Sequence, residues 1–205
     1  LEEYYDNDLL KSIRGIINGS TNFILTKILE DQLEFKASLT LAQQLGFAES
    51  NPKLDIGGFD AANKLSILLA HSFGVIAKPN GFIFNGIENV SLPDAVLAKE
   101  KKQTIKLVAT AKKLGSGKLA AFVLPQFVTQ HDNLYHVQNE FNALTTESTF
   151  ADEHFFKGKG AGAFPTASAV LSDISALGYN YKYEYKKIYH KTDTELSNDY
   201  YLKVF

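Results

Sequence analysis

The chain has 205 residues, 21 basic against 23 acidic, for a formal net charge of -2; that describes one domain, or one and a fraction, with no electrostatic footprint for nucleic acid or an anionic membrane surface. It contains no cysteine, which excludes disulfides, thiolate nucleophiles, thiolate zinc sites and iron–sulfur clusters, so any chemistry falls to oxygen and nitrogen groups. The longest apolar stretch, residues 65–77, is too short to span a bilayer, and the acidic start Leu1-Glu-Glu3 is unlike a signal peptide, so the expected location is cytoplasmic and no membrane partner is expected.

Methionine is absent throughout, and the chain reads as a piece of a longer protein. Residues 8–17 read as a strand that ends in the turn Asn18-Gly-Ser-Thr21, after which Phe23, Ile24, Ile28 and Leu29 recur at helical spacing. A second helix fits residues 35–45, with Gly46 as its stop, and residues 47–58 form a polar loop carrying Glu49, Asp55 and a glycine pair. Residues 59–73 are apolar around most of a helical circumference, which predicts a helix packed on nearly every side and closed by Gly74.

The middle of the chain changes period. Residues 104–112, 119–129, 134–138 and 143–149 are β-rich runs between turn-forming clusters, and Pro125 within one of them predicts an edge position or a bulge. The glycine-rich run Lys157-Gly-Lys-Gly-Ala-Gly-Ala163 leads through Phe164-Pro165 into a helix over residues 166–177, framed by Pro165 and Gly178. The tail from Tyr179 shows no helical period, and its end, Tyr200-Tyr-Leu-Lys-Val-Phe205, alternates like a strand. The expected fold class is α+β, a mostly antiparallel or mixed sheet covered on one face by helices.

Three constellations stand out. Glu49, Asp55, Asp60 and Lys64 form the densest polar group. Asp60 and Lys64 are four apart and share a helix face, with the acid nearer the positive helix end. Such a pair is often a solvated surface contact; on a helix otherwise destined for the interior, the ammonium is partly desolvated and becomes a usable proton donor. Gly158-Lys-Gly-Ala-Gly162 before a helix reads either as a flexible connection or as a backbone cradle for negative charge. Asn18-Gly-Ser-Thr21 reads either as a helix cap supplied by Ser20 or Thr21 or as a substrate contact. His71, His131, His136, His154 and His190 include no pair at metal-binding helical spacing, so no metal site is expected, and neither a P-loop nor a Gly-x-Ser-x-Gly elbow occurs.

Four motifs, Gly15-Ile-Ile-Asn-Gly-Ser-Thr-Asn-Phe-Ile-Leu25, Leu45-Gly-Phe-Ala-Glu49, Asp55-Ile-Gly-Gly-Phe-Asp-Ala-Ala-Asn-Lys64 and Gly158-Lys-Gly-Ala-Gly-Ala-Phe-Pro-Thr-Ala-Ser-Ala-Val-Leu-Ser-Asp173, in this order and spacing, resemble the catalytic half of homoserine dehydrogenase. The resemblance implies NADP- or NAD-dependent interconversion of aspartate 4-semialdehyde and homoserine, in threonine, methionine and isoleucine biosynthesis. Residues 1–10 would then be the remnant of a nucleotide-binding domain, 11–178 the catalytic domain and 179–205 an extension that begins a regulatory module. It implies a fold like the C-terminal domain of glyceraldehyde-3-phosphate dehydrogenase-like enzymes and a homodimer formed through the sheet, with residues 104–149 at the contact.

Carried to this chain, the resemblance makes Lys64 the proton donor to the carbonyl oxygen. Glu49 and Asp60 hold the substrate amino group, Asp55 belongs to the same network, and Gly19, Ser20 and Phe47 approach the substrate. Gly46 and Gly162 lie against the cofactor, most of whose site lies outside this chain. Ser20 stands where some relatives have Thr, and Phe47 where some have Tyr, which removes a phenol. The isolated chain is expected to have little or no activity. Competing readings are a non-catalytic dimerisation or ligand-binding domain of the same fold, or another two-domain dehydrogenase acting on a small aldehyde.

Overall fold

In the computed structural model, which describes residues 9–115, 117–189 and 194–197, the first apolar run becomes strand β1, Leu10–Ile16, and leads directly into helix α1, Gly19–Glu30. Helices α2 (Phe35–Gln44), α3 (Lys53–Ile56) and α4 (Phe59–Phe73) follow, then a short strand β2 (Ile83–Phe84) and helix α5 (Leu92–Glu100). The remainder is β3 (Gln103–Gly115), β4 (Lys118–Thr129), β5 (Phe141–Ser148), β6 (Glu153–Lys159), α6 (Ala163–Gly178), α7 (Lys186–Tyr189) and β7 (Glu195–Leu196). None of the described helices is long and apolar enough to cross a membrane.

The sheet runs β2-β4-β3-β1-β5-β6, with β7 also on β4. Every long pairing is antiparallel, while β2 and β7 run parallel to β4, so the sheet is mixed and predominantly antiparallel as expected. Pro125 pairs with Leu107 beyond the point where β2 ends opposite Val123, so its missing N–H falls on an outer stretch of β4 that β2 does not reach.

Side chains alternate between the two faces of each strand. Ile105, Leu107, Ala109 and Ala111 face the helices and join Ile24, Ile28, Leu65, Leu69 and Phe73 in the main core. On the opposite face Ile16, Val108, Val128 and Ala143 are covered by Leu134 and Val137. That cover corrects the expected strand at residues 134–138. Asp132 accepts a hydrogen bond from the Leu134 N–H at 2.9 Å, and this side-chain turn winds Asn133–His136 into a 3-10 helix that closes over the sheet. Two further elements were not expected. Ser91 and Asp94 cap α5 reciprocally, and β6 forms by pairing with β5 from Phe141↔Lys159 to Glu147↔Glu153, although most of its side chains are exposed.

Helix α4 occupies the expected bounds, but its surroundings differ from the expectation. Ala61, Ala62, Leu65, Leu69 and Phe73 are buried, whereas Ile67 is 53% exposed, so α4 lies on the sheet with one face open. No residue of α6 is buried, and Leu171, Ile174 and Leu177 face outward. Tyr185 stacks on His71 of α4 with ring centres 4.6 Å apart, which ties the extension after α6 to the helical layer. Residues 1–8 and the expected strand at residues 200–205 lie outside the described residues.

One buried cation sits where β1 ends and leaves a gap beside β3. Lys106 is 1% exposed, and its ammonium donates to Asn22 Oδ1 at 3.0 Å and to the Val137 carbonyl. Burial pushes its pKa down to about 8, with Glu30 opposing and Lys157 reinforcing that shift. An unfolded lysine holds its proton to about 10.4, so between these values the unfolded chain binds more protons. Stability from this position is therefore fully present above the unfolded value and is lost as pH falls toward 8. Denaturant unfolding of the chain and of Lys106→Met should diverge from pH 8 to 10, the parent gaining up to about 3 kcal/mol relative to the variant. Parallel pH profiles would contradict this assignment.

Candidate active site

The end of β1 sets the site. Asn18, immediately after the strand, is the N-cap of α1: its Oδ1 accepts from the Thr21 N–H at 2.8 Å. Neither Ser20 nor Thr21 supplies that cap. The other end of the Asn18 amide donates to Asp55 Oδ1 at 2.6 Å and to Asp60 Oδ2 at 2.9 Å. One buried side chain thus starts α1 and ties it to α3 and to the first turn of α4.

Lys64 stands one turn along α4 from Asp60, and the two form an ion pair at 2.7 Å. Its Nζ also donates to the Ile17 carbonyl at 3.1 Å. An ammonium has three N–H donors, and two of them are directed at these partners. The side chain is 48% exposed, so Lys64 sits at the rim of the site rather than sheltered by hydrocarbon, because α4 leaves that face open. The expectation of a desolvated ammonium is corrected accordingly.

Around this pair lies a cavity of about 520 Å³ lined by Gly19, Ser20, Gly46, Phe47, Glu49, Asp55, Asp60, Lys64 and Gly162, every residue singled out from the sequence. They come from the start of α1, the turn after α2, helices α3 and α4, and the glycine run before α6. Ser20 donates to the Phe47 carbonyl at 2.6 Å, which fixes the turn after α2 against α1. The Phe47 ring packs on Phe23 with centres 4.8 Å apart and brings no polar group. Gly46 has a φ of +77° with open space where a side chain would stand.

Asn18 lines the cavity as part of the turn that the sequence offered as a substrate contact, whereas Glu140 and Asn142 carry no signal in the sequence and line it as well. Asn18 was legible as a capping residue preceding an apolar helical run. Glu140 and Asn142 stand at the start of β5 and reach the cavity only through the pairing of β5 with β1 and β6, for which no local pattern exists. The Glu140 carboxyl is held below its ordinary pKa by its own backbone N–H and, beside it, by Lys159, whose Nζ lies 3.0 Å away. Glu49, Asp55, Asp60 and Glu140 therefore face a cavity whose lining cation is Lys64. Such a lining attracts a small ligand bearing an ammonium and offers one N–H for an oxygen that gains negative charge.

Similarity to known proteins agrees with this geometry. A family model described as homoserine dehydrogenase matches residues 1–175. The homoserine dehydrogenase of Bacillus subtilis (strain 168) is 38% identical over 180 residues, which cover 88% of this chain and 41% of that protein. A crystal structure of S. aureus homoserine dehydrogenase superposes with a TM-score of 0.79 at 35% identity, covering 86% of this chain and 44% of that one. A hyperthermophilic archaeal homoserine dehydrogenase mutant in complex with NADPH superposes with a TM-score of 0.67 at 31% identity, covering 84% of this chain and 49% of that one. The chain spans about two fifths of the length of the curated relatives it matches.

Proposed function

The chain belongs to the homoserine dehydrogenase family, and from that premise we propose that it is the substrate-binding and catalytic portion of an enzyme interconverting L-aspartate 4-semialdehyde and L-homoserine, in threonine, methionine and isoleucine biosynthesis. The observation that carries this reading is the convergence of Glu49, Asp55, Asp60 and Lys64 on one cavity with Gly19, Ser20, Gly46, Phe47 and Gly162.

Glu49 and Asp60 hold the substrate ammonium, and Asp55, tied to Asp60 through Asn18, keeps the carboxylates in place. Gly19 and Ser20 form the wall nearest the substrate, and Phe47 closes the cavity beside them. When an aldehyde is reduced, negative charge develops on its oxygen and a nearby acid lowers the barrier. Lys64 supplies that charge and then the proton, and in the reverse direction its neutral amine removes the proton from the alcohol.

A nicotinamide cofactor, when bound, supplies or accepts the hydride. Gly46, open at a positive φ, and Gly162, at the N-cap of α6, offer bare backbone that would lie against it. The archaeal relative's complex with NADPH favours NADP, with NAD the alternative. The sheet with helices on one face is the arrangement expected of a substrate domain like that of glyceraldehyde-3-phosphate dehydrogenase-like enzymes.

The protein forms a homodimer through the face of the sheet opposite the helices, beside the cover that Leu134 and Val137 supply. Phe122, Leu124 and Phe155 lie there on β4 and β6 in register with Thr110, Val108 and Thr145, away from the main helical core. Sedimentation of the 22.7 kDa chain should give the doubled mass, and Phe122→Asp should return it to the monomer; a monomer at all concentrations would refute this arrangement.

The catalytic reading is tested by Lys64→Ala in the full-length protein that carries this chain. Turnover of homoserine should fall about 10²- to 10⁴-fold, while the thermal midpoint and the KM for homoserine change little. Unchanged turnover would favour a binding domain of the same fold.

A further inference from the structure

Asn142, the second residue of β5, lines the cavity, yet its side-chain Oδ1 is shielded from water and has no hydrogen-bond donor. An acceptor buried in this way has given up its water without gaining a donor in exchange. The space around the amide is kept clear by two glycines. A Cβ at Gly160 would come within 2.0 Å of Asn142 Nδ2, and one at Gly19 would meet the Glu140 carbonyl at 2.7 Å and Asn142 Oδ1 at 3.5 Å. A side chain at Gly160 would displace the amide.

The backbone that carries Asn142 is fixed without help from that amide. Asn22 Nδ2 donates to the carbonyls of Val137, Asn139 and Phe141 at 3.1, 2.9 and 3.1 Å. Lys106 holds the Asn22 oxygen and the Val137 carbonyl, and the Asn139 N–H donates to Thr26 Oγ1 at 3.0 Å. A buried cation and an asparagine therefore anchor the segment entering β5, and the next side chain facing the cavity is an amide with an unsatisfied oxygen. An asparagine side chain presents an acceptor and two donors on one planar group, and rotation about its χ2 exchanges the two ends.

We infer that the Asn142 side-chain amide is a ligand-binding group of this cavity, accepting an N–H from the bound small molecule and donating one to an oxygen of the same molecule. The inference rests on the proposed function, in which two components carry N–H beside oxygen: the ammonium and carboxylate of the amino-acid substrate, and the carboxamide of the nicotinamide ring. Asn22 and Lys106 are positioning residues for this contact.

The test uses the isotopically labelled full-length protein that carries this chain, with the Asn142 side-chain amide signals assigned through its own carbons. L-homoserine and NADPH are titrated separately and then together. The Asn142 amide pair should shift with one of them, and the ligand that moves it identifies the source. Asn142→Ala should weaken that ligand roughly tenfold and leave affinity for the other unchanged. Shifts at the Ser20 and Gly46 backbone amides, with the Asn142 pair static and affinities in Asn142→Ala unaltered, would overturn the inference and leave the proposed function standing. Absence of any shift at Ser20, Gly46, Lys64 and Asn142 with either ligand would overturn both.

Discussion

Two carboxylates, Asp55 and Asp60, meet on one asparagine. Asn18 donates to both within 2.9 Å while its oxygen caps α1, and Lys64 balances the local charge from 2.7 Å. Like charges brought this close repel unless a donor or a cation lies between them, so the geometry of the site depends on this junction. Because Asn18 lies two residues past the end of β1, that strand, helix α1 and helix α4 share one point of reference. The Lys64 bond to the Ile17 carbonyl adds a second tie to the same strand end. The isolated ion pair, half exposed on a helix, would be worth only about 0.2–0.5 kcal/mol; its significance is positional.

The opposite wall is fixed by a separate buried set. Lys106 and Asn22 reach across from β3 and α1 to hold the segment before β5, which brings Glu140 and Asn142 to the cavity. Polar groups sealed from water retain their geometry because each broken bond leaves an unsatisfied partner. The cavity is thus bounded by two polar anchors, one at the end of β1 and one at the start of β5, and these strands are neighbours in the sheet.

Much of this arrangement is legible locally. Helix α4 begins and ends where the sequence indicates because Gly58 and Gly74, at φ +81° and +69°, flank a continuous apolar period. The grouping of Glu49, Asp55, Asp60 and Lys64 follows from proximity along the chain and from the four-residue spacing of the last two. What escaped sequence reading depends on distant pairing or on polar side chains acting on backbone. Residues 134–138 have strand-forming composition, but the Asp132 carboxylate bends them into a turn. Strand β6 has almost no buried face to produce alternation, and its register with β5 holds it. Lys106 looks like an outward-facing residue of an alternating strand, and it is buried where β1 stops short beside it and the segment carrying Val137 closes over it. The burial expected around Lys64 failed for a related reason: periodicity reveals that a helix has apolar sides but not which of them the rest of the fold covers.

In the proposed reaction the acidic lining around Lys64 receives the substrate ammonium. Calorimetric binding of L-homoserine and of 4-hydroxybutyrate, the same molecule without its amino group, to the chain and to its Asp60→Asn variant tests this most directly. The chain should bind homoserine at least about tenfold more tightly than the deaminated analogue, and the preference should shrink in the variant. Equal affinities for the two compounds, unaffected by loss of the Asp60 charge, would contradict it.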